Sequence, residues 1–437
     1  MLELRGKNGT AKVFTDMVDG ATQSQIIGIM NAPITEKCKV RIMPDCHAGA
    51  GCVVGTTMEL GDKVCPNIVG VDIGCGMLVV NLGKIEIDLP KFDDICHTVP
   101  SGNAVNDDYL YWKETPLKDA DSWMKKLKCY DSLHDVGRLC CSLGSLGGGN
   151  HFIELDKDDD DGNVYLVIHS GSRNLGLQVA THYQRLAIKK LHDNRAETGA
   201  LITKLKSEGR EKEIETELKK LKEKNPAIPD EMAYLENIDR LNYLKDMELC
   251  QIFAEWSRKM MAKKIIESYF GQKIQYKDNY MNCGKNKFEV FQTIHNYINF
   301  NDNILRKGAV SAAKGEKLII PMNMRDGSLI CIGKGNEDWN ESAPHGAGRI
   351  MSRAEAKQLL DIEEYEDSMK GIYSTTVNKS TIDEAPMVYK PMESIIENVK
   401  DTVDIINIIK PIYNFKAAEE TPEWLKEKLE RKEKNEE

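Results

Sequence analysis

The residues able to bind a metal ion constrain this chain most, because they are scattered over most of its 437 residues. One carboxylate, one thiolate and three imidazoles stand out beside glycine turns or apolar runs. They are Asp72, Cys75, His151, His169 and His295. A site built from all five needs a core assembled from distant segments. Length alone would allow two or three domains. We therefore expect one large domain over residues 1–416.

Three of the segments are strand-like runs that break into glycine, at 68–77, 144–154 and 164–173. In the first, Asp72 and Cys75 lie three residues apart across a glycine turn, so their side chains can converge on one ion. In the third, an apolar strand presents His169 at its end. A single histidine at a strand end is more often an ordinary polar residue than a ligand. The convergence of several such segments is what predicts a metal site.

The mixed oxygen, sulfur and nitrogen donors favour Mn²⁺, Zn²⁺, Fe²⁺ or Co²⁺ over Mg²⁺ or Ca²⁺, which prefer oxygen ligands. Five ligands exceed one tetrahedral site, so two ions sharing Cys75 are expected. Two ions a few ångströms apart can hold the attacking and leaving oxygens of a phosphoryl transfer.

The run 342–349 sets His345 against a glycine turn, with Arg349 four residues later. Glycine lets a backbone approach a phosphate closely. A neutral imidazole there could attack phosphorus, and the arginine could hold oxygens bidentately. The alternative is a glycine turn that opens a helix, with His345 as its cap.

At these residues the chain resembles the RtcB family of RNA-splicing ligases. The matching segments are 43–49, 69–76, 148–154, 169–173, 306–310, 345–349 and 383–390. The resemblance implies an α+β fold with mixed β-sheets surrounded by helices. It also implies an enzyme that joins RNA ending in a 2′,3′-cyclic phosphate or 3′-phosphate to RNA with a 5′-hydroxyl, using GTP and Mn²⁺ in tRNA splicing or RNA repair.

The resemblance also assigns roles. His345 would attack the α-phosphate of GTP, and the guanylyl group would then pass to the RNA 3′-phosphate, from which the 5′-hydroxyl displaces GMP. Cys75 would bridge two manganese ions, with Asp72 and His295 on one and His151 and His169 on the other. The expected nucleotide-binding residues are Asn150, Glu154, His345, Gly346, Ala347, Gly348, Tyr389 and Lys416. The expected contacts to RNA phosphate are Arg173 and Arg349. Whether an archease-type activator is needed stays open.

The sequence departs from the family pattern at two places. Ile320-Pro321 is followed by 322–327, where relatives carry small residues near the nucleotide. Arg325 could reach the triphosphate there, or pair with Asp326 at a turn. The appendage 417–437 carries eight acidic and five basic residues. We expect it to be an exposed amphipathic appendage, with docking of a partner as the alternative.

Between 175 and 265 charge rises and glycine becomes rare. Ile214, Leu218 and Leu221 recur with a helical period, and Pro226 and Pro229 follow. We expect one helix there, a longer one over 231–267, and a helical insertion packed on the sheets.

The composition bears on where in the cell the protein works and on how it could bind RNA. No apolar run approaches the roughly 20 residues of a membrane span. The twelve cysteines lack paired Cys-x-x-Cys spacing and predict free thiols in a reducing cytoplasm. The net charge of −10 argues against a generally basic surface. RNA would then meet a local patch, for which the candidates are Arg173, Lys307, Lys314, Arg349 and Arg353.

Two other functions stay open. A two-metal phosphodiesterase that opens cyclic phosphates would need the five ligands but neither His345, Asn150 nor Glu154. A non-catalytic RNA-binding relative should have lost ligands, and none of the five is missing.

Overall fold

The computed structural model describes residues 1–193, 195–224 and 228–417. The strands are β1 Leu2–Gly6, β2 Gly9–Val13, β3 Val40–His47, β4 Val54–Glu59, β5 Gly76–Gly83, β6 Phe152–Asp158, β7 Val164–Ser170, β8 Ile274–Lys277, β9 Tyr280–Cys283, β10 Asn286–Ile294, β11 Asn296–Asn299, β12 Ile304–Lys307, β13 Ala309–Ser311, β14 Lys317–Asn323, β15 Gly327–Gly333, β16 Ser342–Pro344 and β17 Val403–Lys416. The helices are α1 Gly20–Asn31, α2 Pro66–Val69, α3 Leu89–His97, α4 Ala120–Met124, α5 Val136–Cys141, α6 Arg173–Leu191, α7 Arg195–Ser207, α8 Ile214–Lys224, α9 Asn237–Phe270, α10 Arg353–Leu359, α11 Ile362–Ser368 and α12 Met392–Val399.

In the described residues the strands form three sheets. The first has the order β1-β2-β3-β4-β12-β11 and is mixed, since β2 and β3 run parallel. The second has nine strands in the order β14-β15-β17-β6-β7-β5-β10-β9-β8, and its pairs are antiparallel. The pair β13-β16 forms the third. The prediction of an α+β fold with mixed sheets is confirmed.

The centre of the nine-stranded sheet is buried on both faces, because β5 and β7 are apolar at successive positions. Side chains alternate across a strand, so Leu78 and Val80 belong to one apolar cluster and Met77 and Val79 to another. The first cluster packs under helix α9, with Met261 among its members. This packing fixes the strand ends that carry the site.

The register of these strands brings distant residues to one edge of the sheet. β5 and β6 begin at the edge where β7 and β10 end, since adjacent strands run in opposite directions. Gly76 pairs with Ser170 and with Ile294, and Phe152 pairs with His169. β17 ends there too, with Lys416 opposite Phe152.

The helical segment 175–265 comprises most of α6 and α9 with α7 and α8 between them. α8 contains Ile214, Leu218 and Leu221, whose helical spacing predicted it. The longer predicted helix corresponds to α9, which begins at Asn237 rather than at 231. The expected start is wrong because Asp230–Met232 forms a short 3₁₀ turn and Leu235 bridges to Val64.

All twelve cysteines are free thiols, as predicted. Among the described helices, none combines the length and apolar character that crossing a bilayer requires. The appendage 417–437 lies outside the described residues beyond Ala417.

Candidate metal centre and nucleotide cavity

The five predicted metal ligands converge at the common strand edge. Cys75 Sγ lies 3.4 Å from His151 Nε2 and 3.3 Å from His169 Nε2. His151 Nε2 is 3.0 Å from Asp72 Oδ2, and His169 Nε2 is 3.0 Å from His295 Nε2. These donors form two groups that share the thiol: Asp72, Cys75 and His151 in one, and Cys75, His169 and His295 in the other.

This grouping corrects the expected one, which placed Asp72 with His295 and His151 with His169. β7 and β10 flank β5 on its two sides, so the imidazoles at their ends meet beside Cys75. The turn before β5 carries Asp72 to His151, which precedes β6.

The donor set fits divalent ions. Metal–ligand bonds of about 2.0–2.3 Å place neighbouring donors of a tetrahedral ion roughly 3.3–3.7 Å apart, close to the separations found. The Nδ1 of His169 lies 3.0 Å from the carbonyl oxygen of Asn150, which leaves Nε2 with its lone pair towards the cluster. Burial lowers the pKa of His169 and His295 well below the usual histidine range, so both are neutral ligands at pH 7.

The pKa values of the Asp72 and Cys75 side chains are shifted in opposite directions. Burial raises the pKa of Asp72, but the His151 hydrogen bond and charge outweigh burial and lower it overall. Burial and the neighbouring Asp72 raise the pKa of the Cys75 thiol well above its usual range. A bound divalent ion would reverse this and hold the sulfur as thiolate.

Arg258 on α9 holds the backbone next to the candidate metal ligands in place. The sequence patterns did not reveal this residue. Its guanidinium is buried and donates to the carbonyl oxygens of Gly74 and Ser170, each at 2.8 Å. These bonds join the turn before β5 to the end of β7. Burial lowers the pKa of Arg258 to about 10, so it stays a cation at neutral pH.

A cavity of about 560 Å³ opens beside the candidate metal ligands Asp72, His169 and His295, which form part of its wall. All the residues expected to hold a nucleotide line the same cavity. They are Asn150, Glu154, His345, Gly346, Ala347, Gly348, Tyr389 and Lys416. The His345 ring lies 4.8 Å from the His295 ring, measured between centroids, so the candidate nucleophile adjoins the metal centre.

His345 follows β16 and its imidazole is oriented by Asp45 on β3. Nδ1 lies 2.6 Å from Asp45 Oδ2, and the His345 backbone N–H donates to the same oxygen at 3.2 Å. Gly348 has φ +75°, and a Cβ there would lie 2.2 Å from the Asp45 carbonyl oxygen. No helix begins at this turn. α10 is capped by Ser352 instead, so the helix-cap interpretation of His345 is wrong.

Glu384 is a second group that the sequence patterns missed. Its buried carboxylate accepts hydrogen bonds from Lys416 Nζ at 2.6 Å and Tyr389 Oη at 2.7 Å. It also pairs with Arg353 at 2.7 Å and Arg349 at 3.2 Å. Burial raises its pKa, but these cations and hydrogen bonds outweigh burial and hold it at about 2. One carboxylate thus fixes four side chains of the cavity wall.

The sequence model of the family described as tRNA-splicing ligase RtcB matches residues 25–417. The chain belongs to the RtcB family. Among curated proteins it is similar to the RNA-splicing ligase RtcB of Escherichia coli strain K12, with 30% identity over 95% of this chain and 99% of the relative. It is also similar to an Escherichia coli protein named RNA-splicing ligase RtcB1, with 29% identity and the same coverage. The tRNA-splicing ligase RtcB of Aeropyrum pernix is 26% identical over 82% of this chain and 83% of the relative.

The resemblance to RtcB predicts that two arginines bind RNA phosphate. In the structure, both donate hydrogen bonds to other groups of the protein. Arg173 is not part of the cavity wall, and donates to Ser145 Oγ at 3.1 Å and to the Gly102 carbonyl at 2.7 Å. Arg349 lines the cavity and donates to the carbonyl oxygens of Met351 and Asp383 besides Glu384.

Of the other cations proposed for an RNA patch, Lys307 and Arg353 line the cavity and Lys314 does not. In the segment where the chain departs from the RtcB pattern, Arg325 pairs with Asp326 through two hydrogen bonds of 2.7 and 3.1 Å. Arg325 lies outside the cavity wall, whereas Met322, Asn323 and Met324 belong to it. Of the two interpretations, the structure shows the ion pair at a turn.

Proposed function

We propose that this chain is an RNA ligase that joins 2′,3′-cyclic phosphate or 3′-phosphate ends to 5′-hydroxyl ends, with GTP and two Mn²⁺ per chain. The observation that carries the proposal is the position of His345, which is hydrogen-bonded to the buried Asp45 and lines a cavity together with candidate metal ligands and every expected nucleotide residue. Membership of the RtcB family and the names of the relatives support it.

The nucleophile in this scheme is His345 Nε2. Asp45 accepts the hydrogen of Nδ1, which leaves the Nε2 lone pair free. Nε2 forms a bond to the α-phosphorus of GTP, and the bond to pyrophosphate breaks. An oxygen of the RNA 3′-phosphate then takes the guanylyl group from the histidine. The 5′-hydroxyl attacks that phosphate, and GMP leaves.

A cyclic phosphate must first be opened by water, because the acceptor of the guanylyl group in this scheme is a terminal 3′-phosphate monoester. The two ligand groups around Cys75 would hold the ions, which supply charge stabilisation to the phosphates. Asn150, Glu154 and Tyr389 would hold the guanine nucleotide and Lys416 would contact guanine, while Glu384 keeps Lys416 and Tyr389 in position.

RNA phosphate would approach through the mouth of the cavity. Arg349 is the better placed of the two expected contacts, because it lines the cavity and Arg173 does not. A cytoplasmic location, inferred from the free thiols, completes the proposal. The resemblance suggests an archease-type activator as a partner, and whether the enzyme needs one stays open.

A ligation assay separates this function from its rivals. The protein is incubated with Mn²⁺, an end-labelled RNA bearing a 2′,3′-cyclic phosphate and a second RNA with a 5′-hydroxyl, with and without GTP. Ligation predicts a joined product only with GTP. A metal-dependent phosphodiesterase predicts ring opening with no joined product. A non-catalytic RNA-binding protein would leave both RNAs unchanged.

A further inference from the structure

A buried carboxyl group that accepts no hydrogen bond lies next to the nucleotide cavity. Asp156 is fully buried, and neither of its side-chain oxygens receives a hydrogen bond from any residue that the structure describes. It lies two residues after Glu154 on β6, and therefore on the same face of the strand. Glu154 lines the cavity and Asp156 does not.

The surroundings of the two carboxyl groups differ. The residues opposite Asp156 on the neighbouring strands are Tyr165 and Pro411, and neither is a cation. Glu154 instead lies opposite Asn414, whose side-chain amide donates to it at 2.5 Å. The ammonium of Lys416, two residues further along β17, also favours a charged Glu154.

Glu154 and Asp156 are expected to share one proton, because ionising both would place two like charges side by side in a buried site without water. Burial raises the pKa of Asp156 well above its usual range, and the charge of Glu154 adds to the effect. Burial also raises the pKa of Glu154, where Asn414 and Lys416 oppose it. The proton therefore belongs on Asp156.

We propose that Asp156 is a positioning residue that stays protonated and donates its hydrogen to Glu154, which keeps Glu154 ionised and able to accept hydrogen bonds from guanine. This inference rests on the proposed function, because it takes GTP as the nucleotide. Guanine offers two donors on one edge, N1–H and the 2-amino group, and a carboxylate has acceptors for both. Adenine offers an acceptor at N1 and is disfavoured by the same carboxylate.

Two substitutions of similar size test whether Asp156 acts as a hydrogen-bond donor or only fills space. Asp156→Asn keeps a neutral group that can donate to Glu154, and Asp156→Leu removes the donor but fills the space. Each variant is labelled with α-labelled GTP and with α-labelled inosine triphosphate, which lacks the 2-amino group. Asp156→Asn should keep the half-saturating GTP concentration within about twofold of wild type. Asp156→Leu should raise it about tenfold, the effect of one lost hydrogen bond to a charged group.

The preference for GTP over inosine triphosphate should narrow in Asp156→Leu, because a Glu154 that takes up a proton loses an acceptor for the 2-amino group. A residue that only fills space would leave this ratio unchanged. The inference is overturned if Asp156→Leu keeps both the wild-type GTP dependence and the wild-type ratio.

Infrared difference spectra of wild type against Asp156→Asn at pH 7 test the protonation without any activity. A carbonyl band of a protonated carboxylic acid, shifted in D₂O and missing from the variant, is expected. Its absence from wild type would refute the inference on Asp156. If the band is present but wild type takes no label from GTP, the proposed function fails and the protonated Asp156 stands.

Discussion

His345 Nδ1 lies 2.6 Å from Asp45 Oδ2, although the two residues are 300 positions apart in the chain. The carboxylate is fully buried and also accepts the backbone N–H of His345, so one side chain fixes both the ring and the turn that carries it. This contact determines which imidazole nitrogen is free. Nδ1 is used by Asp45, and Nε2 is left for the cavity.

Replacing Asp45 by asparagine should impair guanylylation without removing the histidine. An amide can turn its NH₂ group towards Nδ1 and favour the wrong tautomer, and such a change costs on the order of 10²–10⁴-fold in rate. Rapid-quench labelling with α-labelled GTP measures it. Asp404→Asn, at an exposed carboxylate on β17, is the matched control and should label like wild type. Equal rates in the two variants would contradict the orienting role.

Cys75→Ala should lose more manganese than either His151→Ala or His295→Ala. The thiol belongs to both ligand groups, whereas each histidine belongs to one. Elemental analysis of protein dialysed against buffer with limiting Mn²⁺ would show about one ion per chain in the histidine variants and fewer in Cys75→Ala. Two ions retained by the cysteine variant would reject the shared ligand.

Arg325→Ala should leave the GTP dependence of guanylylation within about twofold of wild type. Its guanidinium pairs with Asp326 outside the cavity wall, and exposed ion pairs contribute little. Lys416→Met is the contrasting variant and should raise the half-saturating GTP concentration about tenfold, since Lys416 lines the cavity. A comparable rise in Arg325→Ala would show that the arginine reaches the triphosphate.

Glu384 should make stability depend on pH in a defined window. Its pKa falls from an ordinary 4.5 to about 2 in the folded protein. Because the folded pKa is depressed, the stabilisation is complete above pH 4.5 and is lost as pH falls towards 2. This shift in the pKa of Glu384 corresponds to about 3 kcal/mol of unfolding free energy.

Thermal unfolding midpoints of wild type and Glu384→Gln, measured from pH 6 to pH 3, test this dependence. The difference between the two unfolding midpoints should shrink as the pH falls below 4.5. Glu397→Gln, at an exposed glutamate, should track wild type throughout. A difference between wild type and Glu384→Gln that stays constant with pH would refute the assignment.

The convergence of the five candidate metal ligands was predictable because they are marked locally. Asp72 and Cys75 flank a glycine turn, and His169 ends an apolar strand. Their division between two ions was not predictable, because it depends on β5 lying between β7 and β10 in the sheet. Strand order is a property of the whole fold.

Asp45, Arg258 and Glu384 were missed for the same reason. Each acts through a partner far away in sequence: Asp45 on His345, Arg258 on Gly74, and Glu384 on Lys416. Asp45 and Glu384 lie inside segments that match the RtcB family, and this could have drawn attention to them. That residues 1–416 form a single domain stays a prediction.

The central claim is that His345 carries the guanylyl group. Wild type and His345→Ala are incubated with α-labelled GTP and Mn²⁺, separated by denaturing electrophoresis and assayed for bound metal. We predict covalent label on wild type and none on His345→Ala, with manganese content near wild type in both. Label on the alanine variant at the wild-type level would contradict the account.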